Sequence, residues 1–232
     1  MAEPQTAVVL VHGAFADATG WQHVIPLLER EGFFVTAVQN ALGSLADDIA
    51  TTRRVIDAQK GAVVLVGHSY GGAVITGAAI DRPHVKALVY VAAFAPDVGD
   101  TLNGLQARFS RTELWDALVR DSAGFLYIDR DRFHDVFSKD VPSVLSRTMA
   151  AAQKPIQSAI LDQTVEGAAW RTIPSWYLVA AEDRAIHPEL QRFLSLRIGA
   201  RATEIKSSHA PFVSQPEQIV RIVQDADRAT VR

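Results

Sequence analysis

A strand that turns directly into a helix constrains this chain more than any other feature. Residues 62–66 form an apolar, valine-rich run, and the small-residue segment Gly71–Ile80, which predicts a helix, follows almost at once. Between them lies a G-x-S-x-G sequence with Ser69 at the turn. We expect a Cβ at Gly67 or Gly71 to collide with the neighbouring strand and helix. The pattern therefore predicts a serine hydroxyl held clear of a sheet, at a helix N-terminus whose amides can face a developing negative charge.

Composition limits the fold class and the partners. The 232 residues are 48% hydrophobic, which suits one α/β domain with a small insertion. The net charge is −3 with no basic stripe, so nucleic acids and anionic membranes are poor partners. The absence of cysteine excludes disulfides, thiolate catalysis and Cys-based zinc sites.

The sequence shows no signal for export, membrane insertion or metal binding. Met1–Thr6 lacks the features of a signal peptide, and no apolar run approaches the ~20 residues that span a bilayer, so we expect a cytoplasmic protein. The histidines and carboxylates show no metal-ligand spacing, and we expect neither metal nor cofactor. The sequence is also compatible with a homodimer.

Apolar runs and helical patterns alternate along most of the chain. The predicted strands are Ala7–Val11, Phe33–Val38, Ala62–Val66, Val85–Ala92, Trp176–Val179 and, more weakly, Ala202–Ile205. The predicted helices are Trp21–Glu31, Ala46–Lys60, Gly71–Ile80, Pro188–Ile198 and Pro216–Asp227. This order predicts an α/β fold with a mostly parallel, twisted sheet and helices on both faces.

One interval breaks the alternation. Between residues 96 and 172 the strand pattern lapses, and the chain becomes helical, charged and aromatic. We predict helices at Leu114–Val119, Phe133–Phe137 and Val144–Ala152. An enlarged crossover is one interpretation, but we favour a small helical cap over the strand ends, inserted into a core of residues 1–95 and 173–232. Residues 96–172 are called the cap below.

A base and an acid for the serine are expected later in the chain. A serine hydroxyl needs a base to remove its proton and an acid to orient that base. His209 follows the last predicted strand, and Asp183 follows the strand before it. Both come at the carboxyl ends of parallel strands, where α/β sheets form ligand sites. Asp97, after the strand that follows the turn, and Glu182 are the alternative acids.

Other histidines compete for the role of base. His68 lies beside the serine, but its side chain should point elsewhere. We expect His23, His84, His134 and His187 to be structural or solvated.

An oxyanion hole is the third requirement of acyl transfer. The backbone N–H of Tyr70, directly after the serine, is one expected donor. The second should come from His12-Gly13-Ala14-Phe15 after the first strand, from Ala14 in preference to Phe15. A plain turn is the alternative interpretation of this loop.

These motifs resemble the α/β-hydrolase superfamily over almost the whole chain. The match rests on HGAF after the first strand, GHSYGG at the turn, AEDR after a late strand and SSHAPF near the end. It is most similar to the compact branch of plant methylesterases, hydroxynitrile lyases and small bacterial esterases. The resemblance implies a catalytic triad of Ser69, Asp183 and His209 and a short cap.

Two positions separate the chemistries of that branch. Plant hydroxynitrile lyases of this type carry a threonine where this chain has Gly13, and a lysine where it has Ala210. Both differences favour ester hydrolysis over cyanide release. Lyase chemistry, peroxide-dependent acyl transfer on the same triad, and a weakly catalytic small-ligand-binding protein remain alternatives.

Aromatic residues indicate the kind of substrate. Phe15, Phe94 and Phe212 flank the predicted chemistry, and the cap supplies Phe125 and Tyr127, besides Trp115, Phe133 and Phe137. They predict a pocket for a small apolar or aromatic carboxylic ester, with Phe15, Phe94, Phe125, Tyr127 and Phe212 as its substrate-binding residues.

Overall fold

A six-stranded parallel sheet forms the centre of the molecule. The computed structural model describes residues 5–231, so most of Met1–Thr6, for which no signal peptide is predicted, lies outside the described residues. The strands are β1 (Ala7–Val11), β2 (Phe34–Val38), β3 (Val63–His68), β4 (Val85–Val91), β5 (Leu118–Arg120), β6 (Phe125–Ile128), β7 (Ile156–Gln157), β8 (Ser175–Ala180) and β9 (Arg201–Ile205). The large sheet has the order β2-β1-β3-β4-β8-β9, with every pair parallel.

Helices cover this sheet and also contribute to the cap. They are α1 (Ile25–Arg30), α2 (Leu45–Asp57), α3 (Tyr70–Ala78), α4 (Leu102–Gln106), α5 (Arg130–Phe137), α6 (Ser143–Ala152), α7 (Pro188–Arg197), α8 (Pro211–Ser214) and α9 (Pro216–Thr230). Helices α1 and α9 contact each other, as do α2 and α3, and both pairs pack on the sheet. The predicted α/β architecture is therefore confirmed.

Burial explains which strands were easy to predict. Strands β1, β3 and β8 are buried along their whole length, as continuous apolar runs in parallel sheets should be. The edge strand β9 is exposed at four of its five residues, which is why its sequence pattern is weak. The predicted helix Trp21–Glu31 is interrupted: a 3-10 turn, Ala18–His23, precedes α1, whose first turn contains a proline.

The cap is mixed rather than helical. Its strands β5, β6 and β7 form a small antiparallel sheet. The predicted helix Leu114–Val119 is wrong, because a 3-10 turn, Glu113–Ala117, gives way to β5. The β5–β6 turn explains the difference: Asp121 Oδ1 accepts the amides of Ala123 and Phe125, both at 2.9 Å. This turn chemistry aligns β5 with β6, and the pairing overrides local helix propensity. The other two predicted cap helices fall within α5 and α6.

Residues 5–231 contain neither a candidate membrane-spanning helix nor a candidate metal site. None of their helices is both long and apolar enough to cross a membrane. In the same range, no group of three or more histidine, aspartate or glutamate side chains could hold a metal ion.

Candidate active site

Ser69 lies at the sharp turn between β3 and α3. Its backbone angles, φ 54° and ψ −123°, are strained for a residue with a side chain. A Cβ on Gly67 would lie 2.6 Å from the carbonyl oxygen of Gly71, and one on Gly71 would lie 2.5 Å from that of Val11. The collisions predicted at these two glycines are confirmed, and they fix the approach of β1, β3 and α3 around the serine.

A buried hydrogen-bonded chain runs from Ser69 through His209 to Asp183. His209 Nε2 lies 2.9 Å from Ser69 Oγ, and His209 Nδ1 lies 2.6 Å from Asp183 Oδ2. All three residues are buried. Because a carboxylate only accepts hydrogen bonds, Nδ1 carries the ring proton, and the Nε2 lone pair faces the serine hydroxyl.

Further donors hold Asp183 in place. Its Oδ1 accepts the backbone N–H groups of Ala185 (2.7 Å) and Ile186 (3.0 Å). Its Oδ2 accepts Nε2 of Gln191, a fully buried residue of α7, at 2.7 Å. These hydrogen bonds fix the direction of the Asp183 side chain. Sequence reasoning missed Gln191, and its one signal is a polar side chain on the sheet-facing side of an amphipathic helix.

The alternative acids lie elsewhere. Asp97 makes an ion pair with Arg171, whose Nη2 donates to both carboxylate oxygens at 2.7 Å. The hydrogen bond from the guanidinium holds the pKa of Asp97 below its usual range. Glu182 is exposed to solvent. The structure brings neither carboxylate to His209.

His68 fixes the main chain of His209. Its Nε2–H donates to the carbonyl oxygen of His209 at 2.8 Å, and its ring centroid lies 4.7 Å from that of His209 and 4.6 Å from that of Phe212. Burial lowers the pKa of His68 well below its usual value, so the ring is neutral. The expected structural character is correct, but nothing in the sequence connects His68 with a residue 141 positions away.

The four histidines that were expected to be structural or solvated make no hydrogen bond with the triad residues in the described part of the chain. His23 is exposed, His187 accepts the amide of Glu189 at the start of α7, and His84 and His134 each bond a backbone carbonyl at 3.1 Å.

The loop after β1 approaches the serine closely. A Cβ on Gly13 would lie only 2.6 Å from that of Ser69. The N–H of Phe15 is occupied, since it donates to the carbonyl oxygen of Lys154 at 3.0 Å. Within residues 5–231 the N–H of Ala14 has no hydrogen-bond acceptor. The N–H of Tyr70 also lacks an acceptor within the helix, because Tyr70 is the first residue of α3. Both residues line the cavity above Ser69.

His12 supports this loop from behind. Asn40 N–H donates to His12 Nε2 at 2.9 Å, so the ring proton is on Nδ1, which donates to the carbonyl oxygen of Gly13 at 2.8 Å. Burial lowers the pKa of His12 to about 4, which keeps it neutral. The ammonium of Lys154, a cap residue, donates to the carbonyl oxygen of Asn40. Lys154 therefore contacts both Asn40 and Phe15.

Tyr70 is anchored by a buried carboxylate. Its hydroxyl donates to Asp48 Oδ2 at 2.8 Å, while Asp48 Oδ1 accepts the amides of Ala41 (2.7 Å) and Leu42 (3.2 Å). Burial raises the pKa of both Tyr70 and Asp48. The phenol therefore stays protonated, and its hydroxyl is committed to α2 rather than to a ligand.

A narrow, mainly apolar cavity separates Ser69 and His209 from the cap. It leaves about 40 Å³ for the centres of water-sized molecules. Phe15 and Phe94 line it on the core side. On the cap side its aliphatic lining is Leu102, Leu114, Leu118, Leu126, Ile156 and Leu161. Of the aromatic cap residues that the sequence singled out, Trp115 and Phe137 also line the cavity. Sequence reasoning missed the aliphatic side chains.

Three predicted substrate-binding residues are not in the lining. Side chains alternate along a strand, so Leu126 of β6 lines the cavity while its neighbours Phe125 and Tyr127 do not. Phe212 packs instead against Trp21 and His68, with ring centroids at 5.4 and 4.6 Å.

Gln106 is a polar residue in this apolar lining, and sequence reasoning missed it as well. Its Oε1 accepts Nε1–H of Trp115 at 3.3 Å, and both side chains line the cavity.

Comparisons with known proteins agree with this fold. The chain is 30% identical over 246 residues to "Alpha/beta hydrolase nvfD" of Aspergillus novofumigatus, covering 95% of this chain and 96% of that protein. It is 26% identical over 248 residues to "Methylesterase 1" of Arabidopsis thaliana, covering 91% and 92%. The crystal structure of a pyrethroid hydrolase from Sphingobium faniae superposes with a TM-score of 0.78 at 22% identity, covering 96% and 97%.

The family assignment follows from a wider match. Residues 8–222 match the model of the alpha/beta hydrolase family. The matched range includes the turn at Ser69, the cap, and the segments that carry Asp183 and His209. The resemblance inferred from the four motifs is thereby confirmed, including its plant methylesterase relatives. This chain belongs to the alpha/beta hydrolase family.

Proposed function

We propose that this hydrolase is a serine carboxylesterase that uses Ser69, His209 and Asp183 as a catalytic triad. The observation that carries the proposal is the alignment of Ser69 Oγ, His209 and Asp183 by hydrogen bonds of 2.9 and 2.6 Å. His209 takes the hydroxyl proton as Ser69 attacks the ester carbonyl, and then gives it to the leaving alcohol. Water hydrolyses the acyl-enzyme by the reverse steps, and Asp183 stabilises the imidazolium.

The amides of Ala14 and Tyr70 are proposed to bind the oxyanion. Both residues line the cavity beside Ser69. Preorganised N–H donors of this kind contribute about 3 kcal/mol each to acyl transfer. The engagement of the Phe15 amide with Lys154 supports Ala14 as the donor from this loop.

The surroundings of His209 favour hydrolysis over cyanohydrin cleavage. Ala210 is fully buried and uncharged, and apart from His209 the cavity lining contains no ionisable side chain other than the protonated Tyr70. No fixed cation is therefore placed to stabilise a departing cyanide. Several relatives carry esterase or hydrolase names, among them the plant methylesterase, which supports the same class of reaction.

The narrow cavity indicates small esters. With about 40 Å³ for the centres of water-sized molecules, the site admits a short, apolar acyl or alcohol group, and bulkier ones require the cap to shift. We therefore expect acetyl to butyryl esters to be cleaved faster than long-chain esters.

A chain-length series of p-nitrophenyl esters tests the proposal. Ser69→Ala should lower kcat/KM by at least about 10⁴-fold, since triad members act as a unit. Ser195→Ala is the matched control, because the hydroxyl of this buried serine donates to Arg192 O within its own helix, α7. A fluorophosphonate probe should label the wild type and not Ser69→Ala. Equal turnover of the wild type and Ser69→Ala on every ester would refute the mechanism, and a wild type that neither turns over nor is labelled would indicate a binding protein instead.

A further inference from the structure

The cavity contains a polar donor that the proposed chemistry does not use. Gln106 is the last residue of α4, one helical turn after Leu102, and both line the cavity. Asn103, on another face of the same helix, instead donates to Asp162 at 2.8 Å. The side chain of Gln106 is therefore on the side of α4 that faces the substrate.

The orientation of the Gln106 amide is fixed by its neighbour. An indole N–H can only donate, so the group of Gln106 that lies 3.3 Å from Trp115 Nε1 must be the carbonyl Oε1. The amide nitrogen is then the free end. Within the described part of the chain, Gln106 Nε2 has no hydrogen-bond acceptor.

The other polar side chains of the lining are engaged. Ser69 and His209 bond each other, Tyr70 bonds Asp48, and Trp115 bonds Gln106 itself. Every other side chain of the lining is aliphatic or a phenylalanine ring. The Gln106 amide is thus the side-chain donor that a substrate atom can satisfy without breaking a bond of the protein.

We propose that Gln106, oriented by Trp115, recognises a second carbonyl oxygen in the substrate, separate from the ester carbonyl attacked by Ser69. This inference rests on the proposed esterase function and narrows it to esters that carry a further hydrogen-bond acceptor on an otherwise apolar arm. Gln106 is half-buried at the lining of the cavity, so a carbonyl oxygen on the substrate gains a hydrogen bond there that a purely hydrocarbon arm cannot make.

Two pairs of esters of matched size test the proposal. Methyl 4-oxopentanoate is compared with methyl pentanoate, and 3-oxobutyl acetate with butyl acetate, by pH-stat measurement of kcat/KM. The readout is the oxo/plain ratio of kcat/KM in the wild type divided by the same ratio in Gln106→Leu, so intrinsic reactivity cancels. We expect this double ratio to be about tenfold for at least one pair. A double ratio of one for both pairs overturns the proposal.

Three variants locate the effect. Gln106→Glu replaces the donor by an acceptor and should invert the preference in favour of the plain ester. Trp115→Phe removes the indole N–H and should reduce the oxo/plain ratio, whereas an unchanged ratio would overturn the orienting role of Trp115. Asn103→Leu is the matched control on α4 and should retain the wild-type ratio. A loss equal to that of Gln106→Leu would assign the effect to the helix and overturn the proposal.

Binding to Ser69→Ala separates this inference from the esterase proposal. Dissociation constants of the four intact esters are measured by isothermal titration with Ser69→Ala and with Ser69→Ala carrying Gln106→Leu. Tighter binding of the oxo esters that disappears with Gln106→Leu supports recognition by Gln106 even if the wild type cleaves none of them. Equal binding of the oxo and plain esters, with Ser69-dependent hydrolysis intact, refutes only the role of Gln106.

Discussion

The two walls of the cavity are built by different means. On the core wall, backbones approach so closely that a Cβ on Gly13, Gly67 or Gly71 would lie within 2.6 Å of another atom. Its polar side chains, Ser69 and His209 among them, are hydrogen-bonded and buried. The cap wall is formed by aliphatic side chains and the ring of Phe137 on short elements, with the Gln106–Trp115 pair as its polar part. Geometry on the core wall therefore depends on individual backbone contacts, whereas the cap wall depends on volume that several apolar residues could fill.

Among substitutions in the two walls, Gly71→Ala should cause the largest loss of stability, because the new Cβ would collide with a neighbouring backbone. The new Cβ would lie 2.5 Å from Val11 O and 2.9 Å from His12 O, and neither oxygen can move without shifting β1. We expect a loss of about 4 kcal/mol of unfolding free energy, measured by urea denaturation. Gly43→Ala is the matched control, since nothing lies within 4 Å of a Cβ at Gly43. A wild-type unfolding midpoint for Gly71→Ala would show that the turn at Ser69 is not held by this approach.

Acid should weaken the core wall next most strongly. His12, whose pKa is lowered to about 4, and His68, whose pKa burial lowers well below its usual value, both stay neutral in the folded protein. The unfolded chain takes up protons at these sites below pH ~6.5, so stability falls as the pH decreases from there towards 4. His12 alone contributes a loss of about 3 kcal/mol over that range, and His68 adds to it.

Urea denaturation at several pH values between 7 and 4.5 measures this dependence. The buried Asp48 has a raised pKa and acts in the opposite direction, because the folded state takes up its proton first. His23→Gln, which changes an exposed histidine, should leave the slope as it is. A stability independent of pH over this range would contradict neutral burial of His12 and His68.

His68→Phe should damage activity more than its effect on folding suggests. The substitution keeps an aromatic ring but leaves the carbonyl oxygen of His209 without its donor. We expect kcat/KM to fall about 30-fold, the equivalent of roughly 2 kcal/mol, because the imidazole loses its alignment. His84→Phe removes a similar bond, to Ile56 O at 3.1 Å, remote from the cavity, and should leave kcat/KM unchanged. Equal losses of activity in both variants would show that His68 has no particular role in placing His209.

Substitutions in the cap strand β6 should have the smallest effects and should alternate. Leu126→Ala widens the cavity and should raise kcat/KM for hexanoyl over butyryl esters about threefold to fivefold. Phe125→Ala and Tyr127→Ala change neighbours that do not line the cavity, so the chain-length preference should stay as in the wild type. A shift of preference with Phe125→Ala but not with Leu126→Ala would mean that β6 presents its opposite face to the substrate.

The same contrast explains what the sequence could predict. Local sequence patterns predict the sharp turn at Ser69, the buried strands, and the positions of Asp183 and His209 after strand ends. Each of these patterns is compatible with one local backbone arrangement. His68, Gln191 and Asp48 act through contacts with residues distant in the chain, for which a single sequence carries no signal. In the cap, the turn at Asp121 sets strands where apolar spacing had indicated the helix Leu114–Val119. The face of a three- or four-residue strand cannot be assigned before its pairing is known, which is why Phe125 and Tyr127 were chosen instead of Leu126.

Lys154 makes the cap a structural support of the loop after β1, in addition to a wall of the cavity. This one residue accepts the amide of Phe15 through its carbonyl oxygen and donates to Asn40 O through its ammonium, so the cap supplies part of the frame of the proposed oxyanion loop. An exchange of caps between relatives, made to change substrate range, would therefore also replace a support of the proposed oxyanion loop. A grafted cap will need a residue equivalent to Lys154, matched to Asn40, before its own specificity can be measured.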